Sequence, residues 1–117
     1  MLEEINAVIQ STRIEIERGM LSMWITVDYG GAVQGFGGYC LYKDLKNDKK
    51  NYAGHFIYRC IEVAGVESWD QLPGKAIRVR KEPQWNSTIK AVGHIIKDDW
   101  FNPLEDFEKA EEEKFVD

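Results

Sequence analysis

Between Thr12 and Lys97 the spacing of apolar residues changes period twice, which restricts the chain to a sheet with one helix set between its strands. Thr12 to Arg18 alternates, with Ile14 and Ile16 opposite Arg13, Glu15 and Glu17, the pattern of a half-buried strand. Gly19 interrupts it. Ser22 to Tyr29 is rich in β-branched and aromatic residues, Gly30-Gly31 supplies turn chemistry, and Ala32 to Tyr42 runs back. A mixed-charge loop follows over Lys43 to Lys50. Period 3.6 then takes over from Asn51 to Ala64, where Tyr52, Phe56, Ile57, Cys60, Ile61 and Ala64 form one stripe. Gly65 stands at the C′ position, and Ser68-Trp69-Asp70-Gln71 has capping-box spacing. Period two resumes in Ala76 to Lys81 and in Thr88 to Lys97, joined by a loop over Glu82 to Ser87. Asn102-Pro103-Leu104-Glu105 combines an N-cap, Pro at N1 and Glu at N3, and predicts a helix from Pro103 to about Lys114.

The expected order is β-β-β-α-β-β-α: an α+β fold with a mainly antiparallel five-stranded sheet packed on one helix, plus an acidic C-terminal helix. Leu2 to Ile9 fits either a helix or an extension of the first strand. The 117 residues suit one domain, with a sheet-and-helix core over 12–101 and the C-terminal helix and tail over 102–117.

Charge and composition narrow the function classes. A formal net charge of -5 argues against a general nucleic-acid binder, whose non-specific affinity comes from Lys and Arg neutralising phosphates. No apolar run approaches the ~20 residues of a membrane span, and Met1-Leu2-Glu3-Glu4 lacks a basic n-region, so the expected address is cytoplasmic. Cys40 and Cys60 fit no CxxC knuckle and read as reduced core residues; His55 and His94 lack metal-ligand spacing. No Ser or Cys sits in a nucleophile elbow. The chain is expected not to be an enzyme and to need no cofactor or metal.

The most unusual segment is Tyr29 to Tyr39, with five glycines in eleven positions. Such clusters mark either bulged strands whose bare backbone is covered by aromatics, or walls where a ligand approaches closely. Phe36, Gly37 and Gly38 are the ligand candidates here. Arg78 and Arg80, with Lys75 and Lys81 nearby, form the densest positive cluster; arginine pairs suit a phosphate, but a solvated face paired with Glu15, Glu17 or Glu82 is the simpler reading. Trp85 lies in a polar loop, where a base could stack on it.

Several uncommon blocks occur in order: Asp28-Tyr29-Gly30-Gly31, Gln34-Gly35-Phe36-Gly37-Gly38-Tyr39, Glu62 to Trp69, Arg78-Val79-Arg80 and Gly93 to Phe101. Over Thr12 to Pro103 they resemble short phage and prophage proteins, and the chain is similar to the Thoeris anti-defence sponge proteins of phages. That resemblance implies a non-enzymatic homo-oligomer that captures cyclic ADP-ribose isomers made by TIR proteins, with pockets at subunit interfaces and separate sites for cyclic oligonucleotides. The candidate residues Phe36, Gly37, Gly38, Arg78, Arg80 and Trp85 come from chemistry and not from that family. Two other classes stay open: an anti-CRISPR-like inhibitor of a host protein acting through the acidic helix and its Phe107/Phe115 stripe, and a small hydrolase using His94 and Asp98.

Overall fold

The computed structural model describes residues 2–38, 42–43, 52–84 and 87–113. It is an α+β fold in which a curved antiparallel sheet wraps one helix. The strands are β1 (Glu3–Glu17), β2 (Met20–Asp28), β3 (Val33–Gly37), β4 (Tyr42–Lys43), β5 (Ala76–Lys81), β6 (Ile89–Gly93) and β7 (Trp100–Phe101); the helices are α1 (Ala53–Ala64) and α2 (Pro103–Glu113). Six strands follow the path β3-β2-β1-β5-β6-β7, and the two-residue β4 pairs with β2 off that path.

The expected five strands and their order are therefore corrected. Of the two readings of Leu2 to Ile9, the extension of the first strand holds: β1 begins at Glu3, and Ala7 and Ile9 are core residues lying before the expected boundary at residue 12. Trp100–Phe101 forms a strand too short for any periodicity to show, and β6 stops at Gly93 where the alternation had suggested Lys97. The Cys40 reading and the loop over residues 44–50 lie outside the described residues.

β1 is long because it serves two partners at once. Residues Glu3 to Val8 pair with β5 and Val8 to Glu17 with β2, with an irregularity between Ile9 and Ser11. Such a bulge bends its strand and raises the local twist. Beyond it, the β1–β2 hairpin turns through Arg18 and Gly19, both at positive φ (52° and 77°). Two left-handed central residues are what a two-residue hairpin loop needs to match strand twist.

Cross-strand partners share a face, so the register sorts the side chains. Ile5, Ala7 and Ile9 stand beside Val79, Ile77 and Val27; Ile25 faces Phe36, and Val92 faces both Val79 and Phe101. Onto this face α1 lays Phe56, Cys60, Val63 and Ala64. Phe36, Phe56 and Phe101 pack with centroids 5.5 to 6.1 Å apart, one pair stacked and two edge-on. Burial pushes the Cys60 thiol far above its ordinary pKa.

The helix ends follow the sequence. Gly65 takes φ 74° and its N–H bonds the carbonyls of Ile61 and Glu62; Gln71 reaches back to the N–H of Ser68 at 3.2 Å; Asn102 Oδ1 accepts from Leu104 and Glu105. No helix among the described residues is long and apolar enough to cross a membrane.

Candidate functional site

The face of the sheet turned away from α1 carries most of the chemistry, and bare glycine backbone shapes it. Trp24 on β2 faces Gly37 of β3, and a Cβ placed on Gly35 or Gly38 would overlap its indole ring. On the far side, Trp100 faces Gly93, where a Cβ would meet the ring at 2.5 Å. Each indole thus lies on a strand whose side chain has been removed. Gly35 and Gly38 are accordingly a seat for an aromatic, the structural alternative that the sequence left open, whereas Gly30 and Gly31 have open space where a side chain would stand.

Both indoles also meet arginine. The Arg13 guanidinium lies 6.0 Å from the Trp24 ring, while those of Arg78 and Arg80 lie 4.8 and 3.7 Å from the ring of Trp100. A groove of about 350 Å³ runs beside the first unit, lined by Ser11, Thr12, Arg13, Trp24, Thr26 and Gly35. On the same face, Trp24 Nε1 and Ser22 Oγ are buried without a hydrogen-bond partner among the described residues. A second groove, about 470 Å³, is lined by Asn6, Val8, Asp28, the Gly30-Gly31 turn, Ala76 and Ile95.

The residues nominated from sequence fall in different places. Phe36 is 1% exposed and packs in the core, so its ring offers no face to a ligand in this structure. Gly37 and Gly38 lie against β2, Gly38 beneath Trp24. Trp85 lies outside the described residues.

Arg78 and Arg80 are on the same sheet face but far from the glycines. Arg78 is opposite Asn6 whereas Trp24 is opposite Arg13, and seven residues of β1 span roughly 23 Å at 3.3 Å each. The two groups do not share one pocket within a single chain. Arg78 is engaged by backbone: its Nε donates to His94 O at 2.8 Å and a terminal nitrogen to Lys97 O at 2.7 Å, anchoring the loop before β7. Both arginines meet Glu4, at 3.1 and 3.3 Å, and not the expected Glu15, Glu17 or Glu82. Lys81 is absent from this cluster, since strand alternation turns it to the other face; it is 2% exposed, with its ammonium capped by the carbonyls of Glu82 and Gln84.

The remaining titratable candidates have structural partners. His94 Nδ1 accepts from the N–H groups of Ile96 and Lys97, and Asp98 accepts from the Trp100 indole at 3.1 Å. His55 meets Asp106 at 3.0 Å; Arg59 joins Glu62, Asp99 and Asp106 and donates to Trp100 O at 2.6 Å. This cluster ties α1 to α2 and β7. No group of three or more metal-ligating side chains occurs among the described residues.

Trp24, Arg13 and Trp100 were not singled out as site residues from sequence. A signal existed in the run Gly35-Phe36-Gly37-Gly38, which leaves one strand face bare, but a bare face does not name the residue that will cover it. No family model, curated protein or solved structure matches the chain.

Proposed function

We propose that this protein is a non-enzymatic binding module that captures a cyclic ADP-ribose-type signalling nucleotide without cleaving it, as the resemblance to phage Thoeris anti-defence sponges implies. The observation that carries this reading is the Trp24 groove. It combines an indole for stacking adenine, the Ser11 and Thr26 positions, and the Arg13 guanidinium for a phosphate, which would compete there with Glu15 at 3.3 Å. Its volume lies at the lower end of the range of small-molecule sites, ~300 to 1,000 Å³. Arg80 and Trp100 supply a second stack of the same chemistry, where an incoming phosphate would compete with Glu4.

The test is a capture assay. The protein is incubated with TIR-generated signal, filtered, and heated. Intact signal released from the heated fraction supports capture, and signal free in the filtrate throughout overturns it. Recovery of a degraded product would make the chain an enzyme. Arg13→Ala is expected to weaken capture at least about tenfold, the loss of roughly one charged hydrogen bond.

The reading as a host-protein inhibitor is less well supported. Phe107, half of its docking stripe, stacks on Tyr52 at 4.4 Å and packs against the core; Phe115 lies outside the described residues.

A further inference from the structure

We propose that the β1 edge from Thr12 to Ile16 pairs antiparallel with the same segment of a second copy of this chain, about a two-fold axis at Ile14, joining two sheets into one.

The edge is open because β5 ends too soon. Its pairing with β1 stops at Val8, and the last backbone bonds on that side join Ile9 to Gly74 and Lys75. Among the described residues nothing pairs with β1 on that side beyond Ile9, although β2 continues to hold the other side as far as Glu17. Ile9 turns its N–H and C=O toward that side and its side chain toward the core. Backbone groups and side chains alternate together along a strand. After the bulge, Thr12, Ile14 and Ile16 share the core face, since they stand opposite Ile25, Met23 and Leu21. They therefore turn their N–H and C=O groups outward.

The side chains on this edge do not block pairing. Natural edges are protected by proline, short length or inward-pointing charge. This one carries β-branched residues on its core face, and Ile14 and Ile16 remain 47% and 76% exposed. They are the residues that the alternation marks as half-buried, and they stay exposed among the described residues.

Charge and register select the occupant. With the axis at Ile14, Ile14 faces its own counterpart, Thr12 faces the second copy's Ile16, and Arg13 faces the second copy's Glu15. Each chain thereby sets one opposite-charge pair on the outer face and extends the apolar row on the inner one. About six backbone bonds close the seam, one given and one taken at each of Thr12, Ile14 and Ile16. Moving the axis to Glu15 would oppose like charges. Within one chain Glu15 already meets Arg13, Oε1 to Nε at 3.3 Å, and a hydrogen bond with the Glu17 side chain raises its pKa, so in the seam each guanidinium exchanges a carboxylate on its own strand for one across it.

Light scattering after size exclusion, across a concentration series and without ligand, tests this pairing. The expected mass is twice that of the chain, falling to one at dilution. Arg13→Glu and Glu15→Arg, each alone, should raise the midpoint concentration at least about tenfold, and the double swap should restore it. Ile14→Pro removes an outward N–H that serves no intrachain ladder, and should give a monomer with unchanged far-ultraviolet circular dichroism. If that variant unfolds, the charge-swap set decides. A wild-type monomer at all concentrations overturns the proposal. So does a dimer indifferent to the single swaps, or one that the double swap fails to restore.

Discussion

The side-chain amide of Gln34 bridges to Ile89: its carbonyl oxygen accepts the Ile89 N–H at 3.0 Å while its nitrogen donates to Ser87 O at 2.9 Å. Gln34 is on β3, at one end of the six-strand path, and Ile89 opens β6, the fifth strand of it. A residue at one margin thus holds the backbone near the other. The sheet curls until its inner face surrounds α1, and one amide side chain stands in for the ladder that would close a barrel.

Gln34→Leu should therefore destabilise the fold by about 1 to 3 kcal/mol, the cost of leaving partly buried backbone groups unpaired. Urea unfolding followed by tryptophan fluorescence measures it. A midpoint unchanged from wild type would show that the bridge contributes nothing.

Gly38→Ala should cost about 2 kcal/mol or more, because the residue sits at φ 72° and an added methyl would overlap the Trp24 ring. Gly74→Ala is the matched control, with φ 90° but open space around the added methyl, and should lose only the backbone component. Thermal melts of the two variants separate ring displacement from conformational strain, and equal losses would remove the steric role of Trp24.

Arg18→Gly should stabilise the protein by about 0.5 to 1 kcal/mol, since Arg18 holds φ 52° in the hairpin turn and glycine adopts that region without a Cβ clash. A rise in the melting temperature checks it. The gain applies to the chain as a monomer or a dimer, because the turn lies outside the Thr12 to Ile16 seam.

Arg78→Ala should cost more stability than Arg80→Ala, by about 1 kcal/mol or more, because Arg78 alone holds the carbonyls of His94 and Lys97. Hydrogen exchange should quicken over Ile95 to Asp99 in the first variant and not in the second. An identical exchange pattern in both would reduce Arg78 to a surface charge.

Cys60 in a Cys40→Ser background should resist thiol reagents at pH 8, because its burial disfavours the thiolate that such reagents require. Labelling should accelerate in urea in step with global unfolding. Rapid labelling of the native protein would place the thiol in a locally open region.

Local elements were legible where a residue's own backbone preference or spacing decides the outcome. Ala76–Lys81 appears with its expected bounds because strict alternation needs only one buried face. Gly65 ends α1 and Asn102 opens α2 through their own chemistry. The six-strand path was not legible. It depends on a 15-residue β1 that divides its length between β5 and β2, and on a two-residue β7 held by Val92 and Gly93. Of the site, the glycine run and the arginine strand were visible as compositions, but their partners were not. Trp24 comes to Gly38, and Trp100 to Arg80, only through strand pairing.

By itself the sequence determined which segments extend, which one coils, and where turns must fall, because period, glycine and caps act within a few residues. Tertiary structure alone decided what each face meets. It placed Phe36 in the core, sent Lys81 away from Arg80, gave both arginines to Glu4, and left Ile14 and Ile16 exposed at an edge that is unpaired among the described residues. The physical reason is that alternation states only that two faces differ. Which of them meets a helix, and how far that helix reaches, depends on pairings between residues as much as 76 positions apart, such as Glu4 and Arg80.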